Sequence, residues 1–197
     1  MTTSTPVPPT VPDQPKPLTK RRFDVLLRTL GACPEAVEWS KQFGNDGVAA
    51  WNQCERGDWL LWAAVRIGVD RWLVVRAAAR CAETALQYVP ADEERPRQCI
   101  EAVLAWCDDP SDQNLERVGQ ARRAAYGTYD TDAAAYAVYA ATYAADAAYA
   151  VYAATYAADA ADAADAATRR EALKCCAEIV QQTISVDVVL AAAEVSR

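Results

Sequence analysis

YAVYAATYAADAA (Tyr136–Ala148) is followed at once by the same thirteen letters (Tyr149–Ala161) and then by DAADAA, ending at Ala167. Residues 133–167 comprise 21 Ala, six Tyr, four Asp, two Val and two Thr, with no Gly, Pro, Lys or Arg. Alanine has the best intrinsic helix propensity, so the stretch predicts helix. Within one copy Tyr136, Tyr139 and Tyr143 lie at i, i+3 and i+7, and Asp146 continues the line at i+10. Those spacings share one helix face. Thirteen residues advance a helix by about 20 Å and rotate it by roughly 220°. On a straight helix the second set, Tyr149, Tyr152 and Tyr156, therefore faces nearly the opposite way. A duplication that rotates its own face fits an extension better than a core with fixed neighbours. Residues 131–167 are thus expected to project, as one long helix or a tight Ala-packed hairpin.

Outside the repeat the pattern is also helical. Phe23, Leu26, Leu27 and Leu30 recur at three- and four-residue steps before Gly31, which reads as a helix and its stop. Pro34 can open a second helix that ends near Gly44, and Val48, Trp51 and Cys54 mark a third. Gly57 and Asp58 read as a break and an N-cap for WLLWAAVRI, with the Asp58 carboxylate accepting from the amides of Leu60 or Leu61. Ser111 reads as the cap of DQNLERVGQARRAAY, and Ser185 as that of SVDVVLAAAEV. No stretch alternates with the period of two of a half-buried strand. The fold class is all-α: a multi-helix bundle anchored by six tryptophans, all before residue 107, carrying the Ala/Tyr segment toward its C-terminus. Residues 1–17 hold six of the ten prolines and read as a disordered tail, leaving 18–197 as one helical domain.

The charge is unevenly placed. Residues 18–126 carry 15 basic and 16 acidic side chains, whereas 127–167 carry six aspartates and no base. Nearly all of the net charge of -7 therefore sits on the repeat. Phosphates need basic partners, so this segment is not expected to bind nucleic acid. A positively charged protein surface is the complementary partner. Asp159, Asp162 and Asp165 drift around a helix axis and read as a solvated ridge rather than a metal site. The chain has no histidine and no CxxC pair, which removes zinc fingers and His-based triads. An odd count of seven cysteines, with no apolar leader in MTTSTPVPPTVPDQPKP, points to reduced thiols in the cytoplasm. No apolar run approaches the ~20 residues of a membrane span. No enzyme chemistry, metal or cofactor is expected.

The stretch GACPEAVEWSKQFG followed by AWNQCERGDWLLWAAVRIG resembles the Imm-five-like immunity proteins of bacterial and phage genomes. The "CxRxDWLLW" pattern of that family is matched by Cys54, Arg56, Asp58, Trp59, Leu60, Leu61 and Trp62. An Ala-rich middle follows, then a "CADIVR"-like segment at Cys175–Val180 in which Gln181 replaces the closing base. The resemblance implies an all-helical protein that binds and neutralises a cognate toxin. Arg56 and Asp58 are expected to act in capping and pairing rather than in partner contact. The expected contact surface comprises Tyr136, Tyr139, Tyr143, Asp146, Tyr149, Tyr152, Tyr156, Asp159, Asp162 and Asp165, facing a basic toxin. The alternative is a structural or assembly protein, perhaps phage-encoded, that self-associates through the same helix.

Overall fold

Positive-φ glycines set the first turns among the described residues. Gly31 (φ 81°) follows a helix at residues 26–30 (α1), and the amides of Gly31 and Ala32 donate back to the carbonyls of Arg28 and Leu27. Gly44 (φ 61°) ends the single 3-10 turn after α2 (Pro34–Ser40). Both turns follow from glycine's tolerance of positive φ. The structure, a computed structural model, describes residues 26–126, 132–144, 149–164 and 168–195. The chain divides into two compact units, one up to Gly47 and one from Val48 onward. The Pro-rich stretch 1–17 lies outside the described residues.

After α3 (Gly47–Gln53), the second unit contains α4 (Gly57–Arg66), α5 (Arg71–Glu83), α6 (Arg95–Asp108), α7 (Asp112–Ala125), α8 (Asp132–Ala144), α9 (Ala153–Ala164), α10 (Thr168–Thr183) and α11 (Val186–Val195). No strand occurs among the described residues, and the fold is an all-α bundle. Asp70 caps α5 by accepting from the Trp72 amide at 2.8 Å. Ser111 caps α7 by accepting from the Asn114 amide, as its sequence position predicts.

The repeat does not project. Helices α8 and α9 pair as an antiparallel hairpin, and that hairpin lies against α5, α6 and α10. Its packing face is mostly alanine, with Val138 and Thr142 also buried. Ala137, Ala140, Ala141 and Ala144 of α8 and Ala153, Ala154, Ala157 and Ala158 of α9 are all at most 1% exposed. The steps of three and four that put tyrosines on one face put alanines on another. The rotation argument assumed a straight helix. Because α8 and α9 run antiparallel, the second copy is turned over, so both alanine faces can point inward at once.

Tryptophan contributes less to the interior than its count suggests. Trp51 and Trp106 are buried, whereas Trp39, Trp59, Trp62 and Trp72 are only half-buried. Trp72 and Trp106 pack at 4.0 Å between centroids, with the Arg71 guanidinium over both rings. The fully buried centre comes from Leu61, Val75, Ile100, Val103, Val180 and Ile184, with the cysteines Cys81, Cys99 and Cys176. Two of these thiols donate across helix pairs, Cys81 Sγ to the Cys176 carbonyl (3.6 Å) and Cys99 Sγ to the Ala141 carbonyl (3.7 Å). Burial pushes the Cys54 and Cys99 thiols up to about 11 and raises Cys81 well above the ordinary range. At pH 8 a thiol reagent should therefore modify exposed Cys33 and Cys175 first and leave Cys54, Cys81, Cys99 and Cys176 unmodified until unfolding. Peptide mapping after a timed alkylation checks this order.

Gly57 is not the chain break that its sequence position suggests. It is the first residue of α4, and it seats that helix end directly on α10. A Cβ placed there would lie 2.5 Å from Cys176 Cβ, 2.8 Å from the Cys176 carbonyl carbon and 2.9 Å from the Ala177 amide nitrogen. Two of those three neighbours are backbone, so the clash is not relieved by a rotamer change. Gly57→Ala should cost about 1–3 kcal/mol by overpacking, even though alanine is the better helix former. Urea unfolding of the two proteins measures the difference.

Candidate interaction surface

The tyrosines of the repeat form one continuous set of ring contacts on the outside of the α8–α9 hairpin. Within α8, Tyr136, Tyr139 and Tyr143 follow one another at 6.4 and 6.5 Å. Tyr156 of α9 inserts among them, at 6.3 Å from Tyr136, 5.5 Å from Tyr139 and 5.0 Å from Tyr143. Tyr149 and Tyr152 complete the set, at 5.6 and 6.4 Å from Tyr143. Such separations are those of interacting rings. Tyr139, Tyr149 and Tyr152 remain 40–49% exposed, while Tyr136, Tyr143 and Tyr156 are half-buried. All six predicted tyrosines are therefore gathered on one face, not on two opposed ones.

The acidic part of the predicted surface is only partly free. Asp162 is exposed. Asp159 accepts from the Arg169 Nε and Nη2 at 3.2 and 3.1 Å, so a base from α10 covers it. The expected solvated ridge holds at Asp162 and is corrected at Asp159, where a helix that is base-free in sequence acquires a base from its neighbour in space. Asp146 and Asp165 lie outside the described residues. Burial first, and then the nearby Tyr143 hydroxyl, raises the Tyr156 phenol above its ordinary value. Such a group holds its proton more tightly when folded, so its contribution to stability is present below the unfolded pKa and disappears as pH rises through the folded one. An alkaline titration by ultraviolet absorbance should show a last-ionising phenol that is missing in Tyr156→Phe.

The residues of the CxRxDWLLW-like stretch lie elsewhere and have an architectural role. Arg56, not Asp58, occupies the N-cap position of α4 and offers no side-chain cap. Asp58 stands in the first turn, where a carboxylate is favoured by the helix dipole, and it takes both oxygens to Arg56 at 2.9 and 2.6 Å. The guanidinium of Arg56 also lies 4.4 Å over the Trp59 ring. Trp62 is half-buried beside Arg66. Buried Cys54 donates to the Arg56 carbonyl. The expected pairing role of Arg56 and Asp58 is thus present, and the expected cap is not.

The two stretches that carry the resemblance meet each other. Gln181 of α10 donates to the carbonyls of Trp51 (2.7 Å) and Cys54 (3.1 Å), and Lys174 pairs with Glu55 at 2.8 Å. Gln181 supplies two amide hydrogens to two main-chain acceptors, so the position is used for hydrogen bonding rather than for charge. Its role could not be read from a sequence separation of more than a hundred residues. No three His, Cys, Asp or Glu side chains among the described residues approach as a metal site requires. No single helix among them is long and apolar enough to cross a membrane. Compared with family models, curated proteins and solved structures, the chain finds no match.

Proposed function

We propose that this chain is a non-catalytic, immunity-type binding protein that neutralises a basic protein toxin through the tyrosine face of the α8–α9 hairpin. The observation that carries the reading is the collection of six tyrosines on one side of a rigidly seated hairpin. Tyrosine offers a large rigid contact with a hydrogen-bonding tip and is enriched at protein interfaces. The surrounding segment, residues 127–167, carries six aspartates and no base of its own. Complementary charge speeds encounter with a positive partner and suppresses like-charged ones. The resemblance of Cys54–Trp62 and Cys175–Val180 to the Imm-five-like immunity proteins supports the same class. The action is steric occlusion, with no bond made or broken.

Affinity capture with the purified chain against the products of neighbouring genes should retain a basic protein. The variant with Asp146, Asp159, Asp162 and Asp165 each replaced by Asn should associate about tenfold or more slowly at low salt, with a flatter dependence on ionic strength. An unchanged rate and salt dependence would remove the electrostatic part. A concentration-dependent oligomer lost in Tyr139→Ser/Tyr152→Ser would favour self-assembly instead.

A further inference from the structure

The tyrosine face has relief as well as composition. Tyr143 and Tyr156, both half-buried, stack at 5.0 Å with their planes 7° apart and form a floor. Tyr139 borders that floor at 6.5 Å from Tyr143 and 5.5 Å from Tyr156. Tyr149 and Tyr152 border it at 5.6 and 6.4 Å from Tyr143. The three bordering rings are 40–49% exposed, so they stand higher than the stacked pair. The outcome is a shallow trough lined by rings, each of which carries a hydroxyl.

Proteins recognise peptide segments in a few recurring ways, and most of them do not fit this surface. Strand addition needs an open sheet edge, and no strand occurs among the described residues. Acidic and phosphorylated motifs need an arginine cluster, whereas residues 127–167 hold six aspartates and no base. A docked helix has its carbonyls bonded internally and offers the phenol hydroxyls nothing, and polar groups buried without partners are costly. A polyproline II segment does fit. It has no internal hydrogen bonds, so its carbonyls are free to accept from tyrosine hydroxyls. Aromatic-lined surfaces are the usual seat of such segments, whose pre-set backbone loses little freedom on binding. The negative charge around the trough then favours Lys or Arg beside the prolines.

We infer that the trough is a receptor for a proline-rich, base-flanked segment of the protein partner, held in the polyproline II form. The inference rests on the basic-partner reading above and names the part of that partner which makes contact.

The test uses the full chain and three synthetic peptides. The first has proline at every third position and arginines at its end. The second has those prolines replaced by alanine, and the third has the arginines replaced by glutamine. Affinities are read from tyrosine ring signals in NMR titrations. The first peptide should bind about tenfold or more tightly than either of the others. Tyr139→Ala and Tyr152→Ala should each weaken it by about fivefold or more, with melting curves unchanged. A chain with Pro6, Pro9, Pro12 and Pro15 replaced by Ala should bind the first peptide as the native chain does. A gain of about tenfold in that chain would make its own prolines the occupant and overturn the partner assignment. First and second peptides binding within about threefold of each other would overturn the proline chemistry and leave the basic-partner reading standing. Equal binding of the first and third would overturn the basic flank, and with it the electrostatic part of that reading. An affinity unmoved by both Ala variants would overturn the trough as the site. Absence of binding by all three peptides would overturn this inference alone, because capture of a basic protein tests the reading independently.

Discussion

The second unit is organised around contacts in which two helix backbones come as close as a missing or minimal side chain allows. The inner surfaces of α8 and α9 are mostly alanine, joined by Val138 and Thr142, and are essentially without exposure. The start of α4 meets α10 at Gly57, where even one methyl group would strike main-chain atoms. Interaxial distance is set by the side chains at the contact, so small residues draw the axes together. Each buried alanine stabilises little alone, because it removes little apolar area from water. The contribution comes from many such contacts over two helices and from the dispersion of closely packed backbone. The arrangement tolerates no enlargement.

That constraint explains the outer face as well. A hairpin seated through alanine must put its large side chains somewhere else, and the heptad-like spacing of the tyrosines leaves them the solvent side. There they pack ring against ring, so their exposed edges are held in fixed positions before any partner arrives. Preorganised aromatic contacts lose less side-chain freedom on binding than long flexible ones. The proposed function depends on this preorganisation more than on the count of aspartates, since Asp159 is already engaged by Arg169.

Several features were readable from the letters because their causes are local. Helix content follows from alanine propensity and the shortage of glycine; the caps at Ser111 and the turn at Gly31 follow from single side chains acting on adjacent backbone. The membership of the tyrosine face was also legible, since three- and four-residue spacing decides which residues of one copy share a side. Other features were not legible. Asp58 was assigned to the cap because its type fits, but Arg56 competes for the carboxylate at short range. Gly57 was taken as a breaker because its true neighbour, Cys176, lies 119 positions away. The tryptophans were expected to anchor the interior, yet four of them lie at its margin, three alongside arginines that extend over their rings, Arg56 on Trp59, Arg66 on Trp62 and Arg71 on Trp72.

The repeat separates the two kinds of information most cleanly. Tyr136-Ala137-Val138 lies within α8, whereas the same three residues at 149–151 form a turn and the start of a 3-10 segment, with Tyr149 at φ -116° and ψ 1°. Identical letters in two conformations mean that the choice was not made by propensity. Composition determined that this region is helical, anionic and striped with tyrosine, because those properties belong to each residue and its near neighbours. Which face turns inward and which tyrosines touch depend on α5, α6 and α10, because the small side chains of the alanine-rich face let the hairpin pack closely against them.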